Sequence, residues 1–386
     1  MDRPKRVLIH GWTGNKNLGD EAILAGLLRG SEGRWEVAAV SDDPGWTTRY
    51  HRIPAVRRIP RFTLKGICSA PARLGRIGRY VQAVRGSDLC LLGGGDMFLT
   101  ESNARDWCQE LLVPEWLGRR TGIVGVTAGN LPDAAARLVR NRMIKASFVT
   151  ARDQNSLCLL RGIAPKSRTE LAADLALLLS PLSSRPQQHS ELDRCAVILR
   201  RWPELESRID EALRFLVAKC KTRFDLLPMQ KISFCDDELY SREVVARIPE
   251  LHSFRFQADL DAFRHHLSAY PVVISTRLHG VLLAAIEGIP AIGISLSPKI
   301  EAFQRELGLP ELVVDPAALT PTLLAEKWDW LAANYNRITA RLRSSLPGLV
   351  DRAKRNSALI AEALGLSEER AGSRVAPAAD LPESTS

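Results

Sequence analysis

The chain has 386 residues, of which 45% are hydrophobic and 25% charged, with a formal net charge of +9. That length exceeds one ordinary core and predicts two domains, while the apolar content excludes a disordered chain. The positive balance suits a phosphorylated metabolite, nucleic acid or an anionic membrane face, without choosing among them. The cysteines, at 68, 90, 108, 158, 195, 220 and 235, are odd in number and lack Cys-x-x-Cys spacing. They read as thiols of a cytoplasmic protein, neither a disulfide framework nor a zinc site. The apolar run after the basic start is too short for a secretory signal, and no stretch approaches the roughly 18 apolar residues of a membrane span.

In chain order, short apolar runs alternate with helical patterns, which predicts α/β architecture with parallel sheets. "RVLIHGW" (6–12) predicts the first strand, and "GWTGNKNLGDEAIL" (11–24) a glycine-rich turn into a helix over about 20–29. Gly14, Asn17, Gly19 and Asp20 lie in that turn. Its glycines let the backbone bend sharply and approach a ligand, and Asp20 suits a helix cap. A plain capped βα turn is the competing reading. The pattern is neither a dinucleotide fingerprint nor a Walker loop. "EVAAVS" (36–41) predicts the next strand. The basic stretch 52–86, interrupted by Pro and Gly, suits anionic lipid headgroups or a lipid-diphosphate acceptor, with a solvated loop as the alternative.

"LCLLGGG" (89–95) is a strand whose carboxyl end carries Gly93, Gly94, Gly95 and then Asp96. A glycine run there costs backbone entropy and marks close passage of a ligand or another chain segment. "GIVGVTAG" (122–129) and "FVTARD" (148–153) predict further strands. Arg152 and Asp153 read as a structural ion pair, and Asp174, ahead of "LALLL", as an N-cap. "SPLSSRPQQHSELDR" (180–194) lacks periodicity and reads as a linker. The expected organisation is a first lobe over 1–180, a linker over 181–194, a second lobe with terminal helices over 195–366, and a disordered tail over 367–386.

In the second lobe, "CAVILRRW" (195–202), "RFDLLPM" (223–229), "PVVIST" (271–276) and "AIGISL" (291–296) predict strands, and 319–364 reads as terminal helices. Alternation sends Arg200 and Arg201 to opposite faces, so at most one enters a cleft. "STRLHGVLLAAIEGIPAIGISLSPKIEAF" (275–303) places Arg277 and His279 at one strand's carboxyl end and Lys299 at a neighbouring one. Adjacent carboxyl ends of a parallel sheet share a crevice. Arginine and lysine there hold phosphate and carboxylate oxygens, helix N-termini add amide donors, and histidine supplies a proton donor. A lone histidine is more often a core residue; the convergence of three such groups reverses that expectation. There is no nucleic-acid-binding module, and aromatic content is 6%.

Taken together and in this order, "GWTGNKNLGDEAIL", "LLGGGD", "ARDQNS…AADLALLL", "VILRRWP" and "STRLHG…GIP…PK" resemble the polysaccharide pyruvyl transferase family, over about residues 6–305. The resemblance implies two Rossmann-like lobes facing a cleft, similar to the B-type glycosyltransferase fold. It implies transfer of pyruvate from phosphoenolpyruvate to two hydroxyls of a glycan or lipid-linked sugar, forming a cyclic ketal and releasing phosphate. His279 then corresponds to the family's catalytic histidine, and Arg277, Lys299 and Arg200 to groups that hold phosphoenolpyruvate. Gly14, Asn17, Gly19, Asp20, Gly93, Gly94, Gly95 and Asp96 would form the acceptor side. No cofactor or metal is expected beyond phosphoenolpyruvate as co-substrate. The expected setting is cytoplasmic, with peripheral contact at the inner membrane face as one option. A nucleotide-sugar-dependent glycosyltransferase of the same fold and a non-catalytic glycan-binding protein are the alternatives.

Overall fold

The architecture was established in a computed structural model, which describes residues 3–59, 71–179, 181 and 192–366. Two parallel sheets account for nearly all strands. The first contains β1 (Arg6–His10), β2 (Glu36–Ser41), β3 (Ala55–Arg57), β4 (Leu89–Phe98), β5 (Arg120–Ala128), β6 (Val149–Ala151) and β7 (Thr169–Leu171), in the order β3-β2-β1-β4-β5-β6-β7. After β8 (Arg194–Ile198) and β9 (Arg223–Leu226), the chain forms a small antiparallel hairpin of β10 (Lys231–Ile232) and β11 (Cys235–Asp236). With β12 (His252–Ser253), β13 (Val272–Ser275), β14 (Ala291–Ile294) and β15 (Val313–Val314), the second sheet runs β12-β9-β8-β13-β14-β15.

The central strands are apolar runs because helices cover both faces, leaving no solvent side to alternate toward. Val7, Leu8, Val272, Val273 and Ile274 are all 0% exposed. The short strands β3, β7, β12 and β15, two or three residues each, carry no such run and are not visible in the sequence pattern. All four lie at or beside a sheet edge, where neighbouring strands rather than local propensity hold them.

Both sheets reverse their winding direction once, between β1 and β4 and between β8 and β13. Connections on the two sides of such a point leave in opposite directions, and a crevice opens beyond the strands' carboxyl ends. These ends carry the turn after His10, the glycine run of β4, the Leu199–Arg200 segment and the Thr276–Arg277 segment. Residues from all four line a single cavity, so the two crevices face each other. The lobes also touch directly. The Leu18 amide, at the start of helix Leu18–Ser31, donates to the Met229 carbonyl at 3.0 Å. The Leu260 amide donates to the Tyr50 hydroxyl at 2.6 Å.

The terminal helices require a correction. Helix Pro321–Ala333 packs in the second lobe, against helix Glu206–Lys219. The next helix, Tyr335–Leu364, instead crosses back and docks its last turns on the first lobe. Its 30 residues reach about 45 Å at the α-helical rise, enough to pass from one sheet to the other. Fully buried Asn356 donates to the Ala173 carbonyl at 3.0 Å and accepts from the Thr150 hydroxyl at 2.6 Å. Arg355 pairs with Glu170 at 2.6 Å, and Arg120 donates to the Ala363 carbonyl at 2.7 Å.

Within the basic stretch, Arg58 turns inward to pair with Glu110 at 2.9 Å and Asp42 at 3.2 Å, so this cation is not available to a lipid headgroup. Residues 60–70 of that stretch, most of the segment read as a linker, and the tail from 367 lie outside the described residues. Among the described residues no helix is long and apolar enough to cross a membrane.

Asn356→Ala should lower stability by about 1–3 kcal/mol, because it leaves the buried Thr150 hydroxyl and Ala173 carbonyl short of a partner. A reduced urea midpoint at unchanged slope would show it; an unchanged midpoint would contradict this account of the docking.

Candidate active site

A cavity of about 480 Å³ separates the lobes. On the first-lobe side, helix Leu18–Ser31 brings Asn17 and Asp20, β4 brings Gly94, Gly95 and Asp96, and the end of β6 brings Arg152. The second lobe contributes Arg200 after β8, Arg277 and His279 after β13, and Lys299 after β14. His279 is in the first turn of helix Leu278–Ile286 and Lys299 in the first turn of helix Pro298–Glu306. Helix N-termini thus flank the cations and turn their positive dipole ends toward the cavity, an arrangement suited to anions.

One chain of charges crosses the cavity. Lys299 Nζ lies 2.5 Å from Asp96 Oδ2, and the other Asp96 oxygen accepts from Arg152 at 2.8 Å. Arg152 also pairs with Asp174 at 3.1 Å, and His279 Nε2 stands 3.5 Å from the same Asp174 oxygen. Two second-lobe groups are therefore tied together through three first-lobe groups. Burial opposes ionisation of Asp96, but Lys299 and Arg152 outweigh it and hold the carboxyl down to about 2. Burial likewise opposes ionisation of Asp174, yet His279, Arg152 and the Ala176 amide keep it well below the usual carboxylate range. Lys299 is pushed below its ordinary range by burial, against the pull of Asp96.

Arg277 is held separately. Its guanidinium lies 2.5 Å from Asp237 Oδ1 and 3.4 Å from Cys235 Sγ. Arg200 has an exposed side chain facing the cavity and no acidic partner among the described residues, while its backbone amide donates to the Thr276 hydroxyl at 2.7 Å. Arg201 leaves on the other side, where it pairs with Glu206 at 3.2 Å and stacks over Tyr240. The alternation across this strand end separates the two arginines as the pattern predicts.

Asp20 faces the cavity without a hydrogen-bond partner among the described residues. Burial, together with the like charges of Glu21, Asp96 and Asp174, raises its carboxyl well above the ordinary range, despite Arg152. Asn17, not Asp20, caps the helix, accepting from the Gly19 amide at 3.0 Å. The expectation of an Asp20 cap is thereby corrected, and its carboxyl is left to the cleft.

The glycines divide. Gly94 and Gly95 line the cavity, and Gly94 sits at φ +83° where a Cβ would come within 2.2 Å of Ile23. Gly14 and Gly93 do not reach the cleft. A Cβ on Gly14 would meet Ser41 Oγ at 2.2 Å, and one on Gly93 the Val124 carbonyl oxygen at 2.0 Å. They serve close chain packing rather than ligand approach. Gly19 serves the site from behind, since its Cβ would fall 2.3 Å from His279 Nδ1. Asp174 is the N-cap that the sequence suggested, accepting from the Ala176 amide at 3.0 Å. The expected Arg152–Asp153 pair is corrected: Arg152 pairs with Asp96 and Asp174, while Asp153 caps helix Gln154–Ile163. What the sequence did not show is how Arg152, Asp174 and Asp237 hold the groups of the cleft. All three are charged residues just beyond strand ends or at a helix start, the same signal that singled out Arg277 and Lys299.

This two-lobed arrangement, with the site in the interlobe cleft, is the B-type glycosyltransferase fold. It aligns with a glycosyltransferase from Rickettsia africae at TM-score 0.61 and 12% identity, covering 95% of this chain and 100% of that one. A UDP-GlcNAc 2-epimerase from Neisseria meningitidis, bound to UDP-GlcNAc, aligns at 0.61 and 13%, covering 92% and 100%. Anabaena Alr3699/HepE, in complex with UDP and glucose, aligns at 0.58 and 14%, covering 94% and 100%. No curated protein matches the chain by sequence. The model of the polysaccharide pyruvyl transferase family matches residues 17–298, and the chain belongs to that family.

Two expectations follow from the geometry. Gly19→Ala should displace the His279 ring and cut turnover roughly 100-fold, the scale of loss that a shift of about an ångström in a cleft can cause. Circular dichroism should show the fold retained, and undiminished turnover would refute the role of Gly19. The second concerns Asp20. Its carboxyl ionises at higher pH in the folded chain than in the unfolded one, so its cost to stability grows as pH rises above the ordinary carboxylate range. Asp20→Asn should therefore raise the melting temperature more at pH 7 than at pH 4; an equal shift at both would contradict the raised carboxyl.

Proposed function

We propose that the protein transfers pyruvate from phosphoenolpyruvate to two hydroxyls of a glycan or lipid-linked sugar, forming a cyclic ketal and releasing phosphate. The observation that supports this most directly is the clustering of Arg200, Arg277 and Lys299 around His279 on the second-lobe side of the cleft. Phosphoenolpyruvate carries a phosphate and a carboxylate at one carbon, and needs several cations converging on a small volume. Arg200 is open to such an anion. Arg277 and Lys299 are held in place by Asp237 and Asp96 and can share their protons with phosphate or carboxylate oxygens.

In this reading His279 gives its proton to the methylene carbon, and cationic character develops at C2. One sugar hydroxyl adds there and surrenders its proton. The C2–O bond to phosphate then breaks, and the second hydroxyl closes the ketal. The methyl hydrogen gained and the proton taken up by departing phosphate balance the two hydroxyl protons lost. Asp20 suits the acceptor of a hydroxyl proton, because a carboxyl with a raised pKa is a stronger base than an ordinary one. Asn17 and Asp96 stand beside it to orient the diol. The guanidinium and ammonium groups balance the leaving phosphate in a partly desolvated site, where fixed charges act strongly.

Incubation with phosphoenolpyruvate and a panel of sugars should release phosphate only when an acceptor is present. His279→Ala should reduce kcat by about 100-fold or more, as expected for loss of a general acid. Arg200→Ala should chiefly raise KM for phosphoenolpyruvate. Turnover with nucleotide sugars alone would replace this reading with a glycosyltransferase, and glycan binding without any turnover would replace it with a binding protein.

A further inference from the structure

The helices on one face of the first sheet leave many of their apolar side chains in water. The connections β3 to β4, β4 to β5 and β5 to β6 all advance in the same direction along the sheet, so right-handed crossovers put their helices on one face. Among the described residues nine large apolar side chains are exposed, and six of them belong to this layer. They are Leu74 and Ile77 of helix Pro71–Arg85, Leu112 and Trp116 of helix Leu112–Trp116, and Leu138 and Ile144 in and just after helix Asp133–Met143. Trp116 is 82% exposed and Leu74 72%. The three helices are neighbours: Tyr80 and Val84 share a cluster with Val113 and Leu117, and Glu115 pairs with Arg142 and Lys145. Such a concentration marks a surface that meets something less polar than water.

Helix Pro71–Arg85 shows the pattern most clearly. Leu74, Ile77, Val81 and Val84 fall on one stripe at helical spacing. Val84 is buried and Val81 half-buried, whereas Ile77 and Leu74 are exposed, so the stripe outruns its cover. The same helix holds four arginines and no carboxylate. Arg76, Arg79 and Arg85, with Arg137 and Arg140 of helix Asp133–Met143, are exposed and make no ion pair among the described residues. The three helices contain two carboxylates, and Glu115 is already matched by Arg142 and Lys145, which leaves Asp133.

We propose that this layer is a docking surface for an anionic phospholipid bilayer. The exposed leucine, isoleucine and tryptophan tips enter the headgroup and upper acyl region. The arginines between them meet lipid phosphates, with their stems laid along the apolar surface. Tryptophan suits that boundary, because its ring is apolar and its N–H stays hydrated. The apolar tips stand among like charges that no carboxylate offsets, and a layer of phosphates neutralises such a pattern across its whole breadth. Helix Pro71–Arg85 ends just before β4 begins, so its last turn lies at the amino edge of the sheet. Leu74 and Ile77 therefore lie toward the carboxyl edge, the one that forms the cleft. With the proposed function, that orientation favours a lipid-linked acceptor; this consequence rests on the pyruvyl transfer reading, whereas the docking does not.

Flotation with vesicles of phosphatidylcholine alone, and of phosphatidylcholine with phosphatidylglycerol, tests the proposal. The full chain should partition to the mixed vesicles about tenfold more strongly than to the neutral ones, and the preference should shrink in about 1 M salt, where charges are screened within about 3 Å. Replacing Arg76 and Arg79 together by alanine should weaken partition to mixed vesicles about tenfold. The pair Leu74→Ser and Ile77→Ser, and separately Trp116→Ser, should weaken it several-fold. All these positions are exposed, so the variants should melt as the parent does, and phosphate release with a soluble acceptor should not change. Equal partition to both vesicles, or to neither, overturns the proposal. Weakening by the arginine changes alone overturns it in favour of a basic surface that inserts nothing. Self-association that Trp116→Ser abolishes, without vesicle binding, overturns it in favour of a second copy as the occupant. Flotation reads docking without turnover, so its outcome is separate from that of the pyruvyl transfer assay.

Discussion

The run of charges from Lys299 through Asp96, Arg152 and Asp174 to His279 is the interaction on which the site depends. Each of these groups is costly to hold away from water, and each is tolerable only because its neighbours are in place. The first lobe supplies the middle of the run and the second lobe both ends. The run is therefore complete only where the two lobes meet. Burial and Glu21, together with the Asp96 and Asp174 carboxylates of this run, raise the Asp20 carboxyl above its ordinary range.

The architecture beneath this run is a consequence of parallel winding. A sheet built outward in both directions from a central pair of strands must leave a crevice beyond their carboxyl ends. Two such sheets, placed with their crevices opposed, create a deep cleft lined by loop and helix-start residues that are free to vary. The solved structures of similar fold share that architecture at 12–14% identity. What this chain places there is Arg200, without an acidic partner among the described residues, and paired Arg277 and Lys299 around a histidine. The chemistry lies in those side chains, and the fold supplies only their convergence.

Much of the second-lobe site was legible because its parts are close in the chain. Arg277, His279 and Lys299 fall within one strand–helix–strand–helix unit, so local periodicity alone puts them on one sheet edge. The links that Arg152 makes to Asp96 and Asp174 were hidden for the opposite reason. These partners lie 56 and 22 positions away from Arg152, and the Lys299–Asp96 pair spans 203. No local pattern encodes such pairings. The glycine turns were visible as turns, but their targets were not: Gly14 and Gly93 approach Ser41 and Val124, whereas Gly19 approaches His279. A glycine announces close approach without saying to what. The docking of the terminal helix on the first lobe was hidden likewise, because its amphipathic pattern records that a face is buried and not which surface buries it.

By itself the sequence determined the α/β class, the central strands, the division into two winding units and the placing of Arg277, His279 and Lys299 at neighbouring strand ends of the second lobe. These follow from short-range rules, in which apolar runs, strand-end charges and helix starts are set by neighbours in the chain. Only the tertiary structure decided that Asp96, Arg152 and Asp174 bridge Lys299 to His279, and that Asn17 rather than Asp20 caps its helix. Those outcomes depend on how two separately folded sheets are set against each other, and that placement arises from contacts between residues remote in sequence.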